Sequence, residues 1–262
     1  MLRLTKHHGL GNDFLVALAA DNPGLAPDAA VARALCDRHR GLGADGLLYG
    51  LPGTDGADVQ MVLLNADGSE AEISGNGIRC LGQAWLRSEG RTEGDVVVDS
   101  GSGRRELRVV RSAGDEMWIR VDMGEVRPGP DLPVDPSTLP GDRWATVDVG
   151  NPHLVVLVDD PAAVELTTVG PRLEQAFADG INVHVVATDG DTVDLHVWER
   201  GAGITQACGS GATAAASVVH GWGLTGSTVE VVMPGGAATV ELVDGHAFLT
   251  GPTEYVADVV VP

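Results

Sequence analysis

The chain has 262 residues, 44% of them hydrophobic and 21% charged, the balance of a soluble globular protein with ample material for a core. Its formal charge of −20 repels nucleic acid and anionic membranes, which argues against a nucleic-acid partner. No apolar run reaches the roughly 18 residues of a membrane span, and the N-terminal MLRLTKHHGLGNDF lacks the apolar core of a secretion signal. The three cysteines, Cys36, Cys80 and Cys208, cannot make a disulfide framework and lack zinc-ligand spacing, so no metal site and a cytoplasmic location are expected.

In chain order, residues 14–19 form the first candidate strand. DAAVARALCDRH (28–39) predicts a helix, with Asp28 near its start and Gly41 and Gly43 after its end. A strand over 59–65 follows. Ser74-Gly75-Asn76-Gly77 then opens a helix over 76–88, and strands lie at 95–99 and 104–111. The Pro- and Asp-rich RPGPDLPVDPSTLPGD (127–142) is a connector. Beyond it come strands 144–149, 153–158 and 192–199. Cys208-Gly209-Ser210-Gly211 opens a helix over 210–221 that is apolar almost all round, and strands 228–233 and 237–243 close the series.

The chain repeats itself. Placing Ser74 on Cys208 sets an offset of 208 − 74 = 134. At that offset Ala44-Asp45-Gly46 falls on Ala178-Asp179-Gly180, Val97-Val98 on Val231-Val232, and Gly101 on Gly235. With a small shift, Gly11-Asn12-Asp13-Phe14-Leu15-Val16 resembles Gly150-Asn151-Pro152-His153-Leu154-Val155. Two homologous halves follow, roughly 1–115 and 145–250, and the chain divides into domains 1–115 and 116–262. Each half reads as mostly β with two helices.

A Gly-x-Gly turn that opens a helix leaves backbone N–H groups pointing outward, and the helix dipole adds positive potential there. The result is a site for a carboxylate or phosphate. A cysteine at that place is expected to have its pKa lowered. Two such helix starts brought to one cleft suit removal of an α-proton from an amino acid on one face and its return on the other. Cys36 reads as core. Cys80, six residues past Ser74 and about 240° round the helix, points away from any site there.

The stretches HGLGNDF (8–14), NADGSEAEISGNGIRC (65–80), GNPH (150–153) and WERGAGITQACGSGA (198–212) closely resemble diaminopimelate epimerase, nearly end to end. The resemblance implies an α+β fold of two homologous halves, each a β-sheet wrapped round a central helix, related by pseudo-two-fold symmetry. It also implies a homodimeric isomerase of lysine and peptidoglycan precursor synthesis, acting on a small amino acid without pyridoxal phosphate or any other cofactor. Cys208 matches the second catalytic cysteine of that family. Gly75, Asn76, Gly209 and Ser210 match the backbone donors to the reacting carboxylate. Asn12, Asn65, Asn151, Asn182 and Arg200 match residues that hold the substrate and its distal end, and Glu199 matches the glutamate near the reacting amine. His153 falls in the Asn-Pro-His segment, as a site residue or a hydrogen-bonded structural one. Asp45 has a turn role or a ligand contact.

Two positions depart from the family. Ser74 stands where the first catalytic cysteine belongs, and Ile204 where glutamate is frequent. A hydroxyl is far less acidic than a thiol, so Ser74 leaves several readings open: a working Ser/Cys pair, an introduced Cys→Ser exchange, a racemase, epimerase or dehydratase of another amino acid such as hydroxyproline, or a protein that only binds an amino acid.

Overall fold

The computed structural model describes residues 1–71 and 74–262. The chain divides into two units, Met1–Asp122 with Gly251–Pro262, and Met123–Thr250. The boundary thus differs from a cut after residue 115: the strand that begins at Glu116 still belongs mostly to the first unit, and the C-terminal segment returns to it.

The first unit contains β1 (Leu2–Gly9), β2 (Asn12–Leu18), α1 (Ala29–Cys36), β3 (Gly46–Pro52), β4 (Val59–Asn65), β5 (Glu70–Ala71), α2 (Gly75–Ser88), β6 (Asp95–Ser100), β7 (Gly103–Ala113) and most of β8 (Glu116–Glu125). β1 and β2 form a hairpin whose turn residues, Leu10 and Gly11, both have positive φ, 54° and 81°. That left-handed pair matches the twist of a two-residue hairpin. β2 runs parallel to β3, with Phe14 opposite Gly46, and β4 parallel to β6. β2 is buried along its whole length, as a parallel strand covered on both faces requires. α2 packs on β1, β2, β3, β4 and β6 and is buried from Gly75 through Ala84.

α1 is shorter than the helix expected over 28–39. Asp28 caps it, accepting from the N–H groups of Ala30 (2.7 Å) and Val31 (3.2 Å). It ends at Cys36 because the Asp37 carboxylate takes the N–H groups of His39 and Arg40, turning the chain. Cys36 lies in a core with Leu15, Leu47 and Tyr49.

The second unit repeats this plan with β9 (Arg127–Pro128), β10 (Arg143–Asp148), β11 (Pro152–Leu157), α3 (Leu166–Ala176), β12 (Asn182–Asp189), β13 (Thr192–Glu199), β14 (Gly203–Ile204), α4 (Gly209–Gly221), β15 (Thr228–Met233), β16 (Gly236–Val243) and the start of β17 (His246–Val261). β11 runs parallel to β12, with His153 opposite Asn182, and β13 parallel to β15, the pairings of the first unit again. α4 packs on β10 to β13, β15 and β16 and is buried from Gly209 through Ala216. Each half is therefore a sheet wrapped round one central helix. The part of β17 in the first unit pairs with β1, as Leu2 opposite Val261 through Lys6 opposite Ala257.

Candidate active site

In the first unit, Ser74 is the N-cap of α2, with extended backbone (φ −137°), and its Oγ accepts from Gly77 N–H at 3.0 Å. A short amide chain stands beside it. Buried Arg79 donates from Nη2 to Asn76 Oδ1 at 2.5 Å, Asn76 Nδ2 donates to Asn12 Oδ1 at 3.2 Å, and Asn12 Nδ2 donates to Asp45 Oδ2 at 2.7 Å. Arginine can only donate and a carboxylate can only accept, so the two ends fix which way both asparagine amides face. Asp45 also accepts from Asp13 N–H and from Arg38 (2.7 Å), and Arg38 reaches Asp13 at 2.6 Å. Burial raises the Asp13 pKa, but Arg38 and Lys6 outweigh it and hold this carboxylate below its ordinary value. Asp45 thus anchors the Asn12 turn. Asn65, the last residue of β4, donates to Ser69 Oγ at 3.0 Å, apart from that chain.

In the second unit, Cys208 is the N-cap of α4 with nearly the same backbone (φ −133°). Its Sγ accepts from Gly211 N–H at 3.3 Å, lies 3.6 Å from Ser210 Oγ and donates to Glu199 Oε2 at 3.2 Å. Thr205 Oγ1 donates to the other oxygen of Glu199 at 2.5 Å. The expected lowering of the Cys208 pKa is overturned. Burial and then the Glu199 carboxylate push the thiol well above its ordinary value, more than the capped helix start pulls it down. Cys208 therefore rests as a thiol beside a carboxylate. Glu199 ends β13 as Asn65 ends β4, so a neutral amide in the first unit occupies the place of a carboxylate in the second.

Asn182 holds the turn that carries Arg200. Its Oδ1 accepts from Arg200 N–H at 3.0 Å and its Nδ2 donates to Pro152 O at 2.9 Å. The Arg200 side chain is exposed and donates to Asp179 O at 3.1 Å. Glu174 of α3 fixes the far side of this turn through Gly201 N–H (3.0 Å) and Trp198 Nε1 (2.6 Å). His153 has both ring nitrogens engaged, Nε2 with Asn151 Oδ1 and Nδ1 with His184 Nε2, each at 2.7 Å. Burial lowers the pKa of both histidines, that of His184 to about 3, so both are neutral. Ile204 is exposed.

Arg79, Thr205, Glu174 and His184 were not anticipated. His184 carried one signal, a lone histidine inside the apolar run Asn182-Val183-His184-Val185-Val186. Cys80 is buried in the α2 core, where Thr253 Oγ1 reaches its sulfur at 3.4 Å, and its pKa rises to about 11 through burial. Among the described residues, no helix is long and apolar enough to cross a membrane, and no group of three or more His, Cys, Asp or Glu is placed to hold a metal.

The family model for diaminopimelate epimerase matches residues 4–128 and 145–256, one segment in each half of the repeat. A diaminopimelate epimerase of Nostoc punctiforme is 39% identical over 97% of this chain and 98% of its own length. One of Erythrobacter litoralis is 42% identical over 95% of this chain and 93% of its own. Among solved structures, a predicted epimerase of Pseudomonas aeruginosa superposes with a TM-score of 0.76 at 19% identity, covering 100% of this chain and 99% of the other, which speaks to the fold alone. With both helix starts, the repeat and the full-length match in agreement, the chain belongs to the diaminopimelate epimerase family.

Proposed function

We propose that the protein interconverts LL- and meso-diaminopimelate, Cys208 serving one face of the α-carbon and Ser74 the other. The observation that carries this reading is the Cys208 thiol capping α4 and donating its S–H to Glu199 Oε2, 3.2 Å away. Glu199 takes the thiol proton, and the thiolate takes the α-proton. The electron pair left on the α-carbon spreads into the substrate carboxylate. The first-turn N–H groups of Gly75 and Asn76, and of Gly209 and Ser210, receive the growing negative charge. The Ser74 hydroxyl gives a proton to the opposite face and regains one from solvent, while Glu199 releases to solvent the proton it took from the thiol. In the reverse direction the serine side is the slower one, because a hydroxyl yields its proton far less readily than a thiol.

Asn12, Asn65, Asn151 and Arg200 hold the substrate, with Asn182 setting the Arg200 turn. The three asparagine amides and the exposed guanidinium suit a second, polar amino-acid end. A cytoplasmic homodimer working without a cofactor is part of the same reading, supported by the family match.

The test is incubation with LL-diaminopimelate in D₂O, following the α-proton by NMR with chiral analysis of the product. Deuterium uptake with meso product supports the reading. Exchange without inversion shows that Cys208 works and Ser74 does not complete the cycle. Absence of exchange, with binding by calorimetry, turns the protein into an amino-acid binder. Exchange with hydroxyproline in preference to diaminopimelate moves it to another substrate.

A further inference from the structure

The hydrogen bonds that end on Asn151 begin at a residue the proposed reaction does not use. His184 lies on β12 against the first turn of α4. A Cβ on Gly211 would stand 2.6 Å from His184 Cε1 and 3.1 Å from its Nε2, so the glycine leaves the space that the imidazole fills. His184 and His153 stack at 5.0 Å between ring centroids, and both are fully buried. From His184 Nε2 the chain runs to His153 Nδ1, and from His153 Nε2 to Asn151 Oδ1.

Each neutral imidazole carries one proton, and two placements satisfy both contacts. In the first, His184 Nε2–H donates to His153, His153 Nε2–H donates to Asn151 Oδ1, and His184 Nδ1 is left as a lone pair. In the second, Asn151 is turned over and donates through Nδ2, His153 donates through Nδ1–H, and His184 is left with a buried Nδ1–H. His184 Nδ1 is buried without a hydrogen-bond partner. An orphaned donor in a protein interior is rarer than an under-satisfied acceptor, which decides for the first placement. The Asn151 carbonyl is then committed to His153. Its amino group stays available: among the described residues none accepts from Asn151 Nδ2.

We infer that His184 is a positioning residue, which through His153 fixes the Asn151 amide so that its two N–H donors serve a carboxylate of the amino-acid substrate. The inference rests on the substrate contact proposed for Asn151.

Three variants and one spectrum test it. His184→Phe keeps the ring and loses the donor, His184→Gln restores a donor, and Asn151→Ala removes the aligned amide. Expected are a KM for diaminopimelate raised about tenfold in His184→Phe with kcat within about twofold, recovery in His184→Gln, and a KM rise at least as large in Asn151→Ala. Long-range ¹H–¹⁵N spectra of the wild-type protein near neutral pH should show both histidines as neutral Nε2–H tautomers. A His153 Nδ1–H tautomer overturns the inference, and so does an unchanged KM in His184→Phe when Asn151→Ala is impaired. An unchanged KM in Asn151→Ala overturns the substrate contact itself, and this inference with it. If His184→Phe does not fold, the wild-type tautomers decide.

Discussion

Cys208 donates its thiol proton to Glu199 Oε2 across 3.2 Å, while Thr205 holds the opposite oxygen of that carboxylate. The carboxylate acts in two opposed ways. Its charge keeps the thiol protonated at rest, and in the proposed reaction Oε2 is the atom that receives that proton. Glu199→Gln separates the two effects. The thiol should titrate at lower pH once the neighbouring charge is gone, yet turnover should fall by about 10²–10⁴ because the proton acceptor is lost. Iodoacetamide reaction rates against pH report the first. Cys36 and Cys80, both pushed up to about 11 by burial, stay silent below pH 9. An unmoved alkylation profile would leave burial as the sole cause of the raised pKa.

Ser74→Cys should fold as the wild type does. A sulfur already caps α4 at 3.3 Å from Gly211 N–H, as Ser74 Oγ caps α2 at 3.0 Å from Gly77 N–H. Epimerisation should rise at least about tenfold, because a thiol at a helix start gives and takes protons far more readily than a hydroxyl. Initial rates in both directions are the measurement. A slower Ser74→Cys enzyme would overturn the reading of Ser74 as the weaker of the two proton carriers.

Gly211→Ala inverts a familiar rule. In a helix interior, replacing glycine by alanine gains about 1 kcal/mol. Here the new methyl would lie 2.6 Å from the His184 ring, and overpacking of that kind costs about 1–3 kcal/mol. Urea denaturation should therefore show net destabilisation, with turnover falling as well, since Gly211 N–H also supports the Cys208 sulfur. A more stable variant would mean that the His184 ring yields freely.

Acid should weaken the fold before any carboxylate titrates. Burial lowers the pKa of His7 to about 4, so the folded protein binds fewer protons than the unfolded chain below about pH 6.5. The stability carried by the neutral imidazole is complete above pH 6.5 and is lost as pH falls toward 4. His7→Gln should lower stability at pH 7, because His7 bridges Gln83 Oε1 (2.8 Å) and Thr5 Oγ1 (2.9 Å). It should also flatten the slope between those pH values by up to about 1.4 kcal/mol per pH unit. Denaturant midpoints across pH 4–7 give both quantities, and an unchanged slope would assign the acid sensitivity to other groups.

Both helix starts could be read from residue order, because a Ser or Cys cap followed by Gly-x-Gly is a local pattern and the structure keeps it local. The same holds for the strands flanking them, where β-branched runs end at glycine or aspartate. Two elements that the residue order does not announce carry Gly-Pro pairs inside them. Gly170-Pro171 lies inside α3, where a Cβ on Gly170 would meet Trp198 at 2.4 Å, and Gly251-Pro252 lies inside β17. In both places tertiary packing overrides the break. The raised Cys208 pKa was invisible for a different reason. The helix start is encoded beside the cysteine, whereas the burial and the approach of Glu199 arise only when β13 and α4 pack. The His184–His153–Asn151 chain is hidden likewise, since its two rings meet through the parallel register of β11 and β12.

β17 gives the protein an order of assembly during synthesis. The second unit is one unbroken stretch, Met123–Thr250, whereas the first waits for Gly251–Pro262 to supply the partner of β1. A ribosome therefore releases every residue of the second unit before the first can close its edge. Until then the nascent N-terminal half carries β1 with one side unpaired, a strand rim open to other chains. Gly251–Pro262 is thus what ends that exposure to aggregation, and its removal would leave the half that was made first as the half that never finishes folding.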